Sequence, residues 1–252
     1  MTTVALAAGT TLMATAFFLS ILDRWLDRGR AHEGAWAGSL ALFTLGALSL
    51  WGGAAFGWDT AWFRSFYLTG AILNVPFLAL GTLLLLRPGP TTHRVGQVLV
   101  VLGAFATGVM VTAPMSGTID PDILPQGSDV FGVLPRLMAA VASGGGALVV
   151  FGGAAWSAAA LVRRGRRSAQ VEPVPTHPRP AAAGNVLIAL GTVVLSTSGA
   201  LNSVLGEMDA FAVTLTLGIT ILFAGFLVST SGSTRPLGVS RRLMDLIDET
   251  AA

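Results

Sequence analysis

Phe63-Arg64-Ser65-Phe66-Tyr67-Leu68-Thr69-Gly70-Ala71-Ile72-Leu73-Asn74-Val75-Pro76-Phe77-Leu78-Ala79-Leu80-Gly81-Thr82-Leu83-Leu84-Leu85-Leu86 is long and apolar enough to cross a bilayer as one helix. A helix rises about 1.5 Å per residue and bilayer hydrocarbon is roughly 30 Å thick, so about 20 apolar residues make a span. Outward from 63–86, further stretches of the same kind lie at 4–22, 35–57, 94–113, 134–162, 182–204 and 210–230. None has Asp or Glu at its centre. The expectation is an all-α, polytopic membrane helix bundle with seven transmembrane helices.

Composition points the same way. Of 252 residues, 53% are hydrophobic and only 11% are charged, whereas a soluble chain carries about a quarter charged residues. Mean hydropathy is +0.72. An ordinary cytosolic enzyme is therefore excluded first.

The charges between the stretches give an independent test of the count and an orientation. All fifteen basic side chains are Arg, and thirteen of them follow the first, third, fifth and seventh spans. These are Arg24, Arg28 and Arg30; Arg87 and Arg94; Arg163, Arg164, Arg166, Arg167 and Arg179; and Arg235, Arg241 and Arg242. The alternate connections carry Asp59, then Asp120, Asp122 and Asp129, then Glu207 and Asp209, with only Arg64 and Arg136 at their edges. Arg collects on the cytoplasmic side of membrane proteins. This predicts the N-terminus outside and the C-terminus cytoplasmic, in a multi-pass protein of a bacterial plasma membrane. Ala14-Thr15-Ala16 has the small residues of a signal-peptide cleavage site. No positive stretch precedes it, so the first span is read as retained.

Two segments lie outside the spans. Residues 163–181, with Glu172-Pro173-Val174-Pro175 and His177-Pro178-Arg179-Pro180, read as a flexible Arg/Pro-rich cytoplasmic loop. In 236–252, Leu243, Met244, Leu246 and Ile247 recur at helical spacing among Arg241, Arg242, Asp245 and Asp248, as in an amphipathic tail on the membrane surface. The expected partners are the lipid bilayer and a protein engaged through 163–181 or 236–252; no nucleic acid is expected.

Residues 30–81 also carry a resemblance. Arg30-Ala31-His32-Glu33, Ala35-Trp36, Gly57-Trp58, Phe63-Arg64, Tyr67-Leu68, Gly70-Ala71 and Leu73-Asn74-Val75-Pro76 resemble an uncharacterised family of multi-span, seven-helix membrane proteins from actinobacteria. The use of Arg to the exclusion of Lys suits a GC-rich genome. The resemblance implies a host and a membrane. It implies no activity, and no catalytic or ligand residue can be carried over from it.

Candidate functional residues concentrate in the third span. Steps of three and four place Arg64, Tyr67, Ala71, Asn74, Leu78 and Gly81 on one helix face, polar in its outer half, which should turn inward. Pro76 removes the hydrogen bond to the Ile72 carbonyl and should bend the helix, and Asn74 is placed to bond the freed region or a neighbouring helix. Ser196 and Asn202 on the sixth span, with Thr216 and Thr220 on the seventh, could converge with Asn74 on a polar cavity, although such hydroxyls commonly bond their own backbone. Arg64 and Arg136 should pair with the Asp120, Asp122 and Asp129 carboxylates or reach the interface, and could capture an anion. The pairs Gly34 and Gly38, Gly53 and Gly57, Ala104 and Gly108, and Ala140 and Gly144, with Gly144-Gly145-Gly146, suggest close helix packing.

The remaining chemistry is narrow. Without Lys there is no retinal Schiff base, and without Cys there is no thiolate site. His32, His93 and His177 all fall in connections, which disfavours an intramembrane haem, and no cofactor or metal is expected. The expected function is a non-enzymatic sensor, accessory or partner-binding protein. The alternative is a transporter or channel for a neutral or weakly anionic small molecule.

Overall fold

The computed structural model describes residues 2–168, 183–184, 186–195, 197 and 208–231. The chain forms α1 (Thr2–Arg28), α2 (Ala31–Phe56), α3 (Thr60–Phe66), a π-helical turn (Tyr67–Leu73), α4 (Asn74–Leu86), α5 (Pro90–Thr112), α6 (Gly127–Val130) and α7 (Val133–Ser168). These are followed by α8 (Val186–Leu195) and α9 (Met208–Ser231). Among the described residues, six helices are long and apolar enough to cross a membrane: Thr2–Arg28, Ala31–Phe56, Thr60–Leu86, Pro90–Thr112, Val133–Ser157 and Ala210–Val228. The seventh expected stretch, 182–204, is described only in part, as the apolar helix α8. Arg163, Arg164, Arg166 and Arg167 continue the α7 helix rather than an extended loop. Residues 169–182 and the tail 236–252 lie outside the described residues.

The helices start and stop where local chemistry dictates. Gly29 ends α1 with φ of 63°, a left-handed cap, and its N–H closes on the Trp25 carbonyl at 2.8 Å. Asp59 caps α3 by accepting the Trp62 N–H at 2.8 Å. Pro90 opens α5 at a position whose N–H has no intrahelical partner.

On α1 the buried residues are Ala7, Thr10, Ala14, Phe17 and Ile21, spaced alternately three and four apart. That is the seam by which α1 lies along its neighbours α2 and α9. α2 is the central helix, flanked by α1 on one side and by the third span, formed by α3, the π turn and α4, on the other. The third span in turn packs on α7 and α5. Half of the apolar window of α2 is buried, against 11% for each of α5 and α7, so α5 and α7 turn most of their apolar surface outward. Two clusters fill the interior. One, at the end where α1 and α9 begin, contains Trp58, Phe63, Met110, Leu124, Phe131 and Phe211. The other, toward the opposite end, contains Phe17, Ile21, Leu40, Phe43, Ile219 and Leu222.

Residues 113–132 fold back over the first cluster as a lid. Met115 pairs with Phe131 across an isolated bridge, and the Trp58 N–H donates to the Pro121 carbonyl at 2.9 Å. Phe131, 2% exposed, stacks on Phe63 with ring centres 5.3 Å apart and planes 11° apart.

Many glycines here seat aromatic rings. A Cβ on Gly52 would lie 2.7 Å from the Trp62 ring, and one on Gly53 would lie 2.6 Å from the Trp58 ring. Gly81 seats Trp36 and Gly34 seats Trp25 in the same way. The expected close packing at Gly38, Gly108, Gly144 and Gly145 is not found, since nothing stands within 4 Å of a Cβ at any of them. Gly146 alone of the triple glycine makes the approach, to Val75.

Candidate functional site

The third span is not one continuous α-helix, and Pro76 supplies the reason. In the α register its ring would collide with the Ile72 carbonyl four residues back. The chain instead widens into a π turn over Tyr67–Leu73, closed by the Asn74 N–H on the Thr69 carbonyl, five residues back. Passing from the π to the α register leaves one carbonyl more than there are amides, and Pro76 removes another amide. The carbonyl that finds an outside donor is that of Ala71, which accepts from the Ser143 hydroxyl on α7. The Ile72 carbonyl still loses the amide that Pro76 lacks, so the Ala71 carbonyl is a second group freed beside the one expected from an α-helix.

The inserted residue also divides the predicted face, because one residue of helix is about 100° of rotation. Arg64 and Tyr67 point one way and Asn74 and Gly81 another. Asn74 and Gly81 meet α2. Ser39 Oγ, on a residue 1% exposed, lies 2.9 Å from the Asn74 carbonyl oxygen and 2.7 Å from Asn74 Oδ1. Its single proton serves both acceptors. Beside them Gly46 and Gly70 bring the two backbones together, and Ser49 donates to Ser65 at 2.8 Å.

Arg64 and Tyr67 face the lid end. The Arg64 guanidinium donates to the carbonyls of Met110, Val111 and Ala113, the last two at 2.8 and 2.7 Å. These groups end α5, where carbonyls lack helical partners and the helix dipole is negative. The expected pairing of Arg64 with Asp120, Asp122 and Asp129 does not form; backbone carbonyls take its protons instead. Tyr67 packs against Phe63, Phe131 and Gly127. Arg136 stands exposed in the first turns of α7.

The hydroxyls expected to converge with Asn74 are used elsewhere. Thr216 bonds the Ala212 carbonyl of its own helix and stands 2.7 Å from Thr10 Oγ1 of α1, which is fully buried. Thr220 bonds the Thr216 carbonyl at 2.7 Å. Asn74 thus joins the third span to α2, and Thr216 joins α9 to α1. Ser196 and Asn202 lie outside the described residues. No known protein family, curated protein or solved structure matches the chain.

Five partners in this network are not marked by the sequence: Ser39, Ser49, Ser65, Ser143 and Thr10. Each is a hydroxyl in an apolar helix, with nothing in its neighbours to mark it from those that bond only their own backbone; Thr10, for one, does both. Glu33 Oε1 lies 3.6 Å from Arg24 Nε and 3.9 Å from Arg28 Nη1. These are the ion pairs among the described residues. Glu33 is 2% exposed, and the Arg24 guanidinium sits 4.9 Å over the Phe226 ring, so the cluster ties α1, α2 and α9 together at the end away from the lid.

Proposed function

We propose that this chain is a seven-helix protein of a bacterial plasma membrane, N-terminus outside and C-terminus cytoplasmic, that works as a sensor or accessory subunit by binding partners. The actinobacterial resemblance of residues 30–81 supplies the proposed host. One observation carries the reading: four polar contacts inside the bundle join one helix to another. Ser39 engages Asn74, Ser49 engages Ser65, Thr10 engages Thr216, and Ser143 engages the Ala71 carbonyl. Groups spent in this way lock helices together rather than line a path for a solute. Meanwhile α5 and α7 turn Val101, Phe105, Val141, Leu148, Phe151 and Trp156 outward, each at least half exposed, as surface for lipid or for other helices.

The π turn beside Asn74 favours a second reading, because such turns often lie at binding sites. In that reading the bundle moves a neutral or weakly anionic molecule. Purification in mild detergent followed by native mass spectrometry separates the two. A stoichiometric protein partner that is lost on deleting residues 236–252 supports the accessory role. A bound small molecule displaced by Asn74→Leu, with no protein partner, overturns it in favour of transport.

A further inference from the structure

The third span holds two sets of contacts that a single α-helical register cannot satisfy together. Below the π turn, Asn74 is held by Ser39, Val75 by Gly146 and Gly81 by Trp36. Above it, Arg64 holds the end of α5, Phe63 stacks on Phe131, and Tyr67 packs on Gly127. The extra residue in the turn lets both sets form. If the turn tightened to α, the upper half would rotate by about 100° and shift about 1.5 Å against the lower half. One set would then have to break.

The two sets are unequally anchored. The lower one is helix against helix, seated on α2 and α7. The upper one ends on the lid, whose residues 113–126 have no helix of their own and whose ties to the bundle include the Trp58 to Pro121 bond. Two features hold the turn in the π register. Pro76 disfavours the α register, in which its ring would crowd the Ile72 carbonyl, and Ser143 satisfies the Ala71 carbonyl.

We propose that the third span is a two-register switch in which the π turn at Tyr67–Leu73 latches the lid closed over the bundle end. Collapse of the turn to α releases Arg64 from the α5 carbonyls, separates Ser49 from Ser65, and draws Phe63 and Tyr67 out from beneath residues 113–132. The aromatic cluster around Trp58 and Phe131 then opens to water. The switch supplies a moving part that neither the sensor nor the transport reading requires.

The chain has no Cys, so a single introduced thiol reports the lid directly. Leu124 lies in the lid and is 3% exposed, which makes Leu124→Cys a reporter hidden in the closed state. In nanodiscs, a membrane-impermeant maleimide should label Leu124→Cys slowly. Adding Pro76→Ala, which removes the penalty on the α register, or Ser143→Ala, which frees the Ala71 carbonyl, should each raise the rate roughly threefold or more, as expected for losing about one hydrogen bond's worth of bias. An unchanged rate in either variant overturns the switch. Should a variant fail to fold, hydrogen exchange of the unsubstituted chain decides. Amides of 67–74 and 114–131 are expected to open in step, as paired bimodal envelopes, and independent opening refutes the latch.

Discussion

Phe63→Ala tests the most consequential packing claim, that the lid is cemented to the bundle by an aromatic stack. Phe63 is 1% exposed, with ring centres of Phe131, Tyr67 and Trp58 at 5.3, 5.8 and 6.3 Å. Truncating a buried Phe to Ala costs about 3–5 kcal/mol, the spread reflecting how far the surroundings collapse into the void. Each aromatic pair contributes about 0.5–1.5 kcal/mol beyond its area, so Phe63→Leu, which keeps most of the volume but loses the pairs with Phe131, Tyr67 and Trp58, should cost about 1.5–4.5 kcal/mol. Phe105 on α5 serves as the comparison because it is 57% exposed. Its replacement by Ala should change stability by no more than about 0.5 kcal/mol. The assay is denaturant unfolding in mild detergent, followed by tryptophan fluorescence. Equal losses for Phe63→Ala and Phe105→Ala would refute the lid packing, since they would mean that the two rings have equivalent surroundings.

Gly81→Val should cost about 1–3 kcal/mol by driving a side chain into the Trp36 indole, whereas Gly144→Val, facing open space, should be near neutral; thermal melting of both checks this, and similar shifts would count against the glycine seat. Arg64→Leu leaves the carbonyls of Met110, Val111 and Ala113 without their donor. Amides at the end of α5 should then exchange roughly tenfold faster, and unchanged protection would show that the cap is idle. Thiols introduced at Ser128, exposed in the lid, and at Thr91, exposed at the opposite end before α5 turns back, should label from opposite sides of the membrane. Labelling of both from one side would disprove the crossing of α5.

Much of the architecture was legible without coordinates because spanning a bilayer is a one-dimensional requirement. Length and apolarity marked out α1, α2, the third span, α5, α7 and α9, but not their ends: the caps at Gly29, Asp59 and Pro90 lie outside the expected bounds of 4–22, 63–86 and 94–113. The π turn was not legible, although its agent was. Pro76 marks the place in the sequence, but an α-helical count keeps Arg64, Tyr67, Asn74 and Gly81 on one face. The turn adds a residue's rotation between Tyr67 and Asn74, and no periodicity reveals that in advance, because it answers to contacts on both sides of the helix.

The same division runs through the side chains. Sequence by itself determined that this chain is helical, apolar and marked by Arg in alternate connections, since those properties depend on composition and spacing alone. Only the tertiary structure decided which hydroxyl meets which partner, that Arg64 caps α5 instead of pairing with the lid carboxylates, and that glycines hold tryptophans. Inside an apolar bundle a polar group without a partner is costly, and which groups come within about 3 Å of one another is set by how the helices cross.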